Sequence, residues 1–162
     1  MGTIAFLLVP AKNKPTIVDI SSKKITSRMA IAQGVVEFSK STYKKIESLK
    51  TKKGEIKSIA IIAGILGAKK TSDIIPLCHN IKIENIDIDI QAIKKISSFK
   101  VTSSVKSRGK TGVEMEALNG VSIACLTIYD MCKSIDKNIV IKDIRLVKKI
   151  GGKSDLSKLK KK

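Results

Sequence analysis

The sequence predicts one α+β domain, and three patterns carry the prediction. Residues 55 to 69 are apolar on nearly every face and too long for a strand, which predicts a buried helix. Residues 81 to 90 and 99 to 105 alternate apolar and polar side chains on either side of Lys94-Lys95, which predicts two strands of a hairpin. Residues 113 to 134 then follow a helical pattern, and residues 139 to 150 read as a last strand. A chain of 162 residues fits one domain and buries roughly 70% of its extended surface.

Taken in order, residues 1 to 18 carry no periodicity, and Pro10 and Pro15 argue for an extended arm. The domain proper runs from 19 to 154. Gly34-Val35-Val36-Glu37-Phe38 reads as a strand bounded by glycine and Ser39, and residues 41 to 50 as a short exposed helix. The turn Thr51-Lys52-Lys53-Gly54 leads into the buried helix. Gly64 and Gly67 there each cost ~1 kcal/mol against alanine, which implies close packing against another element. Pro76 marks a loop. Beyond it Ile81 and Ile83 share one parity and Ile86, Ile88 and Ile90 the other, so the switch at Asn85 predicts a bulge. Setting the short helix aside, the order is β-α-β-β-α-β. That is the ferredoxin-like pattern, an antiparallel sheet with two helices on one face. Residues 155 to 162 form a lysine-rich tail, expected to be disordered.

The formal net charge of +18 points to anionic partners: nucleic acid, an anionic membrane or phosphorylated small molecules. Lysine far outnumbers arginine and aromatics are only 3% of the chain, both of which weigh against base readout and base stacking. Most of the charge reads as solvated surface with a local anion site inside it. Three cysteines and one histidine cannot complete a four-ligand zinc site without carboxylates, and no CxxC spacing occurs, so no metal site is expected. Cys125 and Cys132 lie about 10 Å apart by helical rise, too far for a disulfide. No segment reaches the 18 apolar residues of a membrane span, and the apolar run near the N-terminus is shorter than a signal-peptide core. A soluble cytoplasmic protein is the expectation.

Candidate chemistry gathers in three segments: Ile74-Ile75-Pro76-Leu77-Cys78-His79, the stretch from Gly109 to Leu118, and Tyr129-Asp130-Met131-Cys132-Lys133. On a helical wheel Glu116, Asn119, Thr127, Asp130 and Lys133 fall within about 60° of one line. That line is either a functional row or a solvent stripe with an Asp130–Lys133 pair worth ~0.2–0.5 kcal/mol. Thr111 and Glu114 have capping-box spacing, and Arg108 and Lys110 flank the helix start, where free N–H groups favour an anion. Gly109-Lys110-Thr111 imitates the end of a phosphate-binding loop, but Ser104 stands where that loop needs glycine, so a Walker-type site is rejected. His79 reads as a general base or, more commonly for such a position, an ordinary loop histidine, and Cys78 as a packed thiol rather than a nucleophile. Gly151-Gly152-Lys153-Ser154 suits a small phosphate nest or a flexible tail.

These motifs together, with Ala63-Gly64 and Ala68-Lys69-Lys70-Thr71, resemble the cyclic pyranopterin monophosphate synthase family, the C protein of molybdenum-cofactor biosynthesis. The resemblance runs from Val18-Asp19-Ile20-Ser21 to Ser154. It implies a ferredoxin-like subunit, a homohexamer built as a trimer of dimers, and active sites at subunit interfaces. It also implies conversion of 3′,8-cyclo-7,8-dihydro-GTP into cyclic pyranopterin monophosphate with release of pyrophosphate. A magnesium ion accompanying the triphosphate is compatible with this, and no other cofactor is expected. The positions that match the family's functional residues are Lys53, Leu77, Cys78, His79, Glu114, Met115, Glu116, Asp130 and Lys133, while Arg28, Lys149 and Lys153 fit its anion-binding positions. On charge, Asp130 and Lys133 are assigned to acid/base catalysis with Lys53 as a second proton donor. Lys70, Arg28, Lys149 and Lys153 are assigned to the phosphates, and His79 and Glu116 to the purine-derived ring. Asn80, Met29 and Asn119-Gly120 depart from the family pattern and put loop rigidity and stability in question. The rival is a small basic nucleic-acid-binding protein, which explains the charge but leaves Asp130, Glu114 and Glu116 beside phosphate.

Overall fold

The structure, a computed structural model, describes residues 14–46, 50–51, 54–152 and 154–158. Its elements are β1 (Thr26–Glu37), α1 (Lys40–Ile46), β2 (Lys50–Thr51), β3 (Gly54–Glu55), α2 (Ile56–Lys69), α3 (Thr71–Ile74), β4 (Ile83–Ile93), β5 (Ser98–Gly109), α4 (Glu114–Cys132), β6 (Val140–Ile150) and β7 (Leu156–Ser157). Five strands form one sheet in the order β4-β5-β1-β6-β7, with every neighbouring pair antiparallel; β2 and β3 form a separate ribbon. This is the ferredoxin-like α+β arrangement. The tail expectation is corrected at Leu156–Ser157, which pairs with Lys148 and Lys149 and extends the sheet by one short strand.

Helices α2 and α4 pack against each other on one face of the sheet, α2 over β4 and α4 over β1, β5 and β6. Strand period decides which side chains they cover. Ala30, Ala32, Gly34 and Val36 of β1 face inward beside Phe99, Val101, Ser103 and Val105 of β5 and Ile88 and Ile90 of β4. Each large aliphatic side chain fully buried here contributes about 1.5–3 kcal/mol. The first half of β1 escapes sequence detection because alanine and glycine carry little strand propensity. Small residues are needed there: a methyl at Gly34 would sit 2.7 Å from Val121 Cγ1 and 3.2 Å from Cys125 Sγ on α4. The bulge predicted at Asn85 is present as a register shift between Ile83 and Asn85. The β4–β5 hairpin turns through a 3₁₀ segment, Lys94–Ile96, and Ser97 at φ 48°.

The predicted close approach of α2 is observed. A methyl at Gly64 would press on Ile88 and lie 2.8 Å from the Gly120 carbonyl oxygen and 3.1 Å from Ala124 Cβ. Asn119-Gly120 is therefore no weakness. Gly120 lets the two helices meet, and Asn119 Nδ2 donates to the Gly67 carbonyl at 2.7 Å and to Thr71 Oγ1 at 3.2 Å, closing the C-terminus of α2. Gly64→Ala is expected to destabilise the fold by about 1–3 kcal/mol because a backbone oxygen cannot swing aside. That outweighs a gain of ~1 kcal/mol in helix propensity, and a lowered Tm in thermal denaturation is the check. The expectation of a wholly buried α2 is corrected: Ile59, Ile62 and Leu66 are 38%, 59% and 55% exposed and share one face.

Candidate active site

β5 ends at Gly109, and the chain turns through residues 110 to 113 into α4. Val113 is the N-cap at φ −114° and makes no side-chain cap. The expected Thr111–Glu114 capping box is thus corrected. Glu114 is the first helical residue rather than the third, and its carboxylate turns to Lys149 Nζ at 3.5 Å. It also lies over Gly112, where any Cβ would collide with it. Arg28 fixes this turn from β1, its Nε donating to the Gly109 carbonyl at 3.3 Å and its Nη2 to that of Lys110 at 3.4 Å. Lys149 stands on β6 beside Ala30 of β1, which brings it to the same end of the sheet.

The result is a cleft of about 190 Å³ lined by Lys23, Arg28, Lys110, Lys149 and Glu114, four cations facing one carboxylate. Such a cleft suits phosphate oxygens, and the first turn of α4 adds dipole and N–H groups. Its floor is closed by the turn after β6. Gly151 has φ +86°, a side chain there would strike the Ser27 carbonyl, and its N–H donates to Asp155 Oδ1 at 3.1 Å. Gly152 and Ser154 border the cleft, whereas Lys153 lies outside the described residues. Arg108, expected beside this anion site, does not line it. It sits on β5 next to Ser27 in register, one strand parity away from Ser107, which faces the core.

A second cavity, of about 250 Å³, adjoins the first across Thr111, Gly112 and Glu114. Leu77, Cys78, His79, Ile81, Met115 and Glu116 complete its lining. Glu116 is 3% exposed, and its Oε2 has no hydrogen-bond partner among the described residues. Burial pushes the Glu116 carboxyl above its ordinary range, and the charge of Glu114 adds to this against a backbone hydrogen bond that lowers it. Burial likewise raises the Cys78 thiol, with Glu116 contributing, so Cys78 stays a thiol and not a thiolate nucleophile. Cys125, inside the core, is pushed by burial to about 12. His79 Nε2 lies 2.7 Å from the Val18 carbonyl oxygen. A carbonyl only accepts, so Nε2 carries the proton.

Because its folded value is raised, Glu116 gives its full contribution to stability below its ordinary 4.5, and that contribution is lost as pH rises through the raised value. Glu116→Gln removes the loss. The variant is expected to match the native protein in acid and to exceed it by about 1–3 kcal/mol above the raised value, read from Tm measured across pH 4 to 8.

Asp130 and Lys133 form an ion pair of 2.7 Å near the other end of α4, with both side chains more than half exposed. The hydrogen bond from Lys133 to Asp130, reinforced by its charge, holds the ammonium above the usual lysine range. Fourteen residues separate Asp130 from Glu116, about 21 Å along the helix axis. Lys70 is exposed at the α2–α3 junction and pairs with Asp73 at 3.1 Å. Within one chain, then, the fold joins Arg28, Lys149 and Glu114 in the cleft and Leu77, Cys78, His79, Glu114, Met115 and Glu116 around the cavity. It leaves Asp130, Lys133 and Lys70 outside both, and Lys53 lies outside the described residues. The polar row on α4 is a solvent stripe only at its C-terminal end, where Asp130 and Lys133 are exposed; Glu116 is buried and Asn119 is bonded inward. Lys23 was not singled out from the sequence, where one lysine among many carries no signal; Lys110 was, as a flank of the helix start.

A ferredoxin-like α+β domain with a cationic cleft and a buried-acid cavity side by side at one helix start is the class of protein this geometry defines. The chain belongs to the MoaC family, whose sequence profile matches residues 17–152. It is 54% identical over 143 residues to a cyclic pyranopterin monophosphate synthase of Campylobacter jejuni subsp. doylei, covering 88% of this chain and 91% of that one. It is 51% identical over 143 residues to a protein of the same name from Helicobacter pylori strain Shi470, covering 88% and 90%.

Proposed function

We propose that this protein is a cyclic pyranopterin monophosphate synthase acting in molybdenum-cofactor biosynthesis. As a lyase it converts 3′,8-cyclo-7,8-dihydro-GTP into cyclic pyranopterin monophosphate and pyrophosphate. The observation that carries this reading is the adjoining pair of cavities. The cleft offers Arg28, Lys110 and Lys149 to phosphates, and the neighbouring cavity offers Glu116, His79 and an apolar wall of Leu77, Ile81 and Met115 to a ring. The names of the relatives agree with it.

The chemistry needs a proton acceptor, a proton donor and neutralisation of the departing pyrophosphate. Asp130 and Lys133 supply the first two. Lys133, whose ammonium is raised above the usual lysine range by its hydrogen bond to Asp130, serves as the donor, with the Asp130 carboxylate as acceptor. Their distance from the cleft in one chain, and the exposed apolar face of Ile59, Ile62 and Leu66, support a homohexamer in which one subunit brings this pair to another subunit's cleft. A magnesium ion accompanying the triphosphate would enter as part of the substrate. The location is cytoplasmic, in keeping with three cysteines that form no disulfide and with the absence, among the described residues, of a helix able to cross a membrane. The nucleic-acid reading gains no support from the sheet. Phe38, Tyr43 and Phe99 are buried together at ring separations of 5.1 and 5.8 Å, so no aromatic platform stands on its open face among the described residues. Incubating purified protein with 3′,8-cyclo-7,8-dihydro-GTP should yield cyclic pyranopterin monophosphate and pyrophosphate; a folded protein that forms neither would overturn the assignment.

A further inference from the structure

Residues 18 to 23 bring Lys23 to the cleft, and one side chain from the lining of each cavity is bonded to the backbone of this segment. His79 Nε2 donates to the Val18 carbonyl at 2.7 Å, and Lys110 Nζ donates to the Ser21 carbonyl at 2.6 Å. One side chain and one backbone turn shape the segment. Asp19 Oδ1 accepts from the Ser21 N–H at 2.8 Å and Oδ2 from the Ser21 hydroxyl at 3.1 Å, and Lys23 N–H closes on the Ile20 carbonyl at 3.1 Å. This is an Asx turn, which sets the directions of the neighbouring carbonyls without help from a helix or sheet.

We infer that Asp19 is a positioning residue: it folds residues 18 to 21 into a strap whose Val18 carbonyl holds His79 as the Nε2–H tautomer, leaving Nδ1 as the acceptor of the imidazole. The physical reason is that a neutral imidazole carries one proton, and the nitrogen bonded to a fixed carbonyl must hold it. His79 lines the ring cavity, so the strap decides that the imidazole offers an acceptor and not a donor for a ring N–H. The same turn directs the Ser21 carbonyl that anchors Lys110 at the edge of the cleft. For its effect on turnover this inference rests on the proposed synthase activity; for the tautomer it does not.

His79 is the chain's single histidine, so histidine labelled with ¹⁵N gives one set of ring signals, recorded at about pH 8.5, where an ordinary imidazole is neutral. The native protein should show the Nε2–H form. Asp19→Ala should give a mixture of tautomers, as should Ser21→Pro, which removes the N–H that Asp19 accepts. Asp19→Asn keeps that acceptor and should keep the native tautomer. With 3′,8-cyclo-7,8-dihydro-GTP, Asp19→Ala should lower kcat/KM by about 10-fold to 100-fold, and Asp19→Asn should restore most of it. A native protein in the Nδ1–H form overturns the inference, as does an unchanged tautomer in both Asp19→Ala and Ser21→Pro. Tautomers that behave as expected in a protein without synthase turnover would instead overturn the proposed activity and leave the strap standing.

Discussion

Asp130→Asn is expected to fold as the native chain does and to lose nearly all turnover, a drop of about 10²-fold to 10⁴-fold. The amide keeps the shape of the carboxylate but accepts no proton, and it withdraws the charge that holds the Lys133 ammonium above its usual range. Lys133→Ala should show a loss of the same order, because the donor itself is gone. Stability separates this effect from a general defect. An exposed ion pair contributes about 0–1 kcal/mol, so Tm should scarcely move while pyrophosphate release collapses. Native-like turnover in a folded Asp130→Asn protein would remove this pair from the mechanism.

Mixing two inactive proteins, Arg28→Ala and Asp130→Asn, should restore activity. Arg28 lines the cleft at the start of α4, while Asp130 sits on its last turn, so one chain does not bring them together. If each site draws its cleft from one subunit and its acid/base pair from another, about a quarter of the sites in randomly mixed assemblies are native. Light scattering should show a hexamer, and activity should appear only after the two proteins are allowed to exchange subunits. A mixture that stays inactive despite demonstrated exchange would place cleft and pair on the same chain or take one of them out of the site.

Legibility varied with how local each cause was. α2 and the β4–β5 hairpin were readable because their periodicity is written within a dozen residues. The Asn85 bulge was readable because a parity switch has one meaning in a strand. The beginning of β1 was not. Its alanines and glycine are chosen by α4 lying across them, an element some ninety residues away in sequence, roughly the separation of Gly34 and Val121. The capping box failed for a similar reason. Lys149 arrives from β6 and takes the Glu114 carboxylate, so a sound local motif loses to a tertiary charge. Asn119-Gly120 looked like a weakness in an isolated helix and proves to be the contact that joins two helices.

The sequence by itself determined the β-α-β-β-α-β order of the main elements, the ferredoxin-like α+β class, the family resemblance and the residue types of the site, because backbone propensity, pleat parity and side-chain chemistry are properties of short segments. Only the tertiary structure decided which charges meet. It chose Lys23 and Lys110 to join Arg28 and Lys149, turned Arg108 out of the cleft, buried Glu116 with its Oε2 unbonded among the described residues, and put about 21 Å of helix between that carboxylate and Asp130. Burial and Coulomb interactions depend on distance in space, and for a chain carrying 32 lysines and arginines proximity in sequence cannot say which few of them face the same anion.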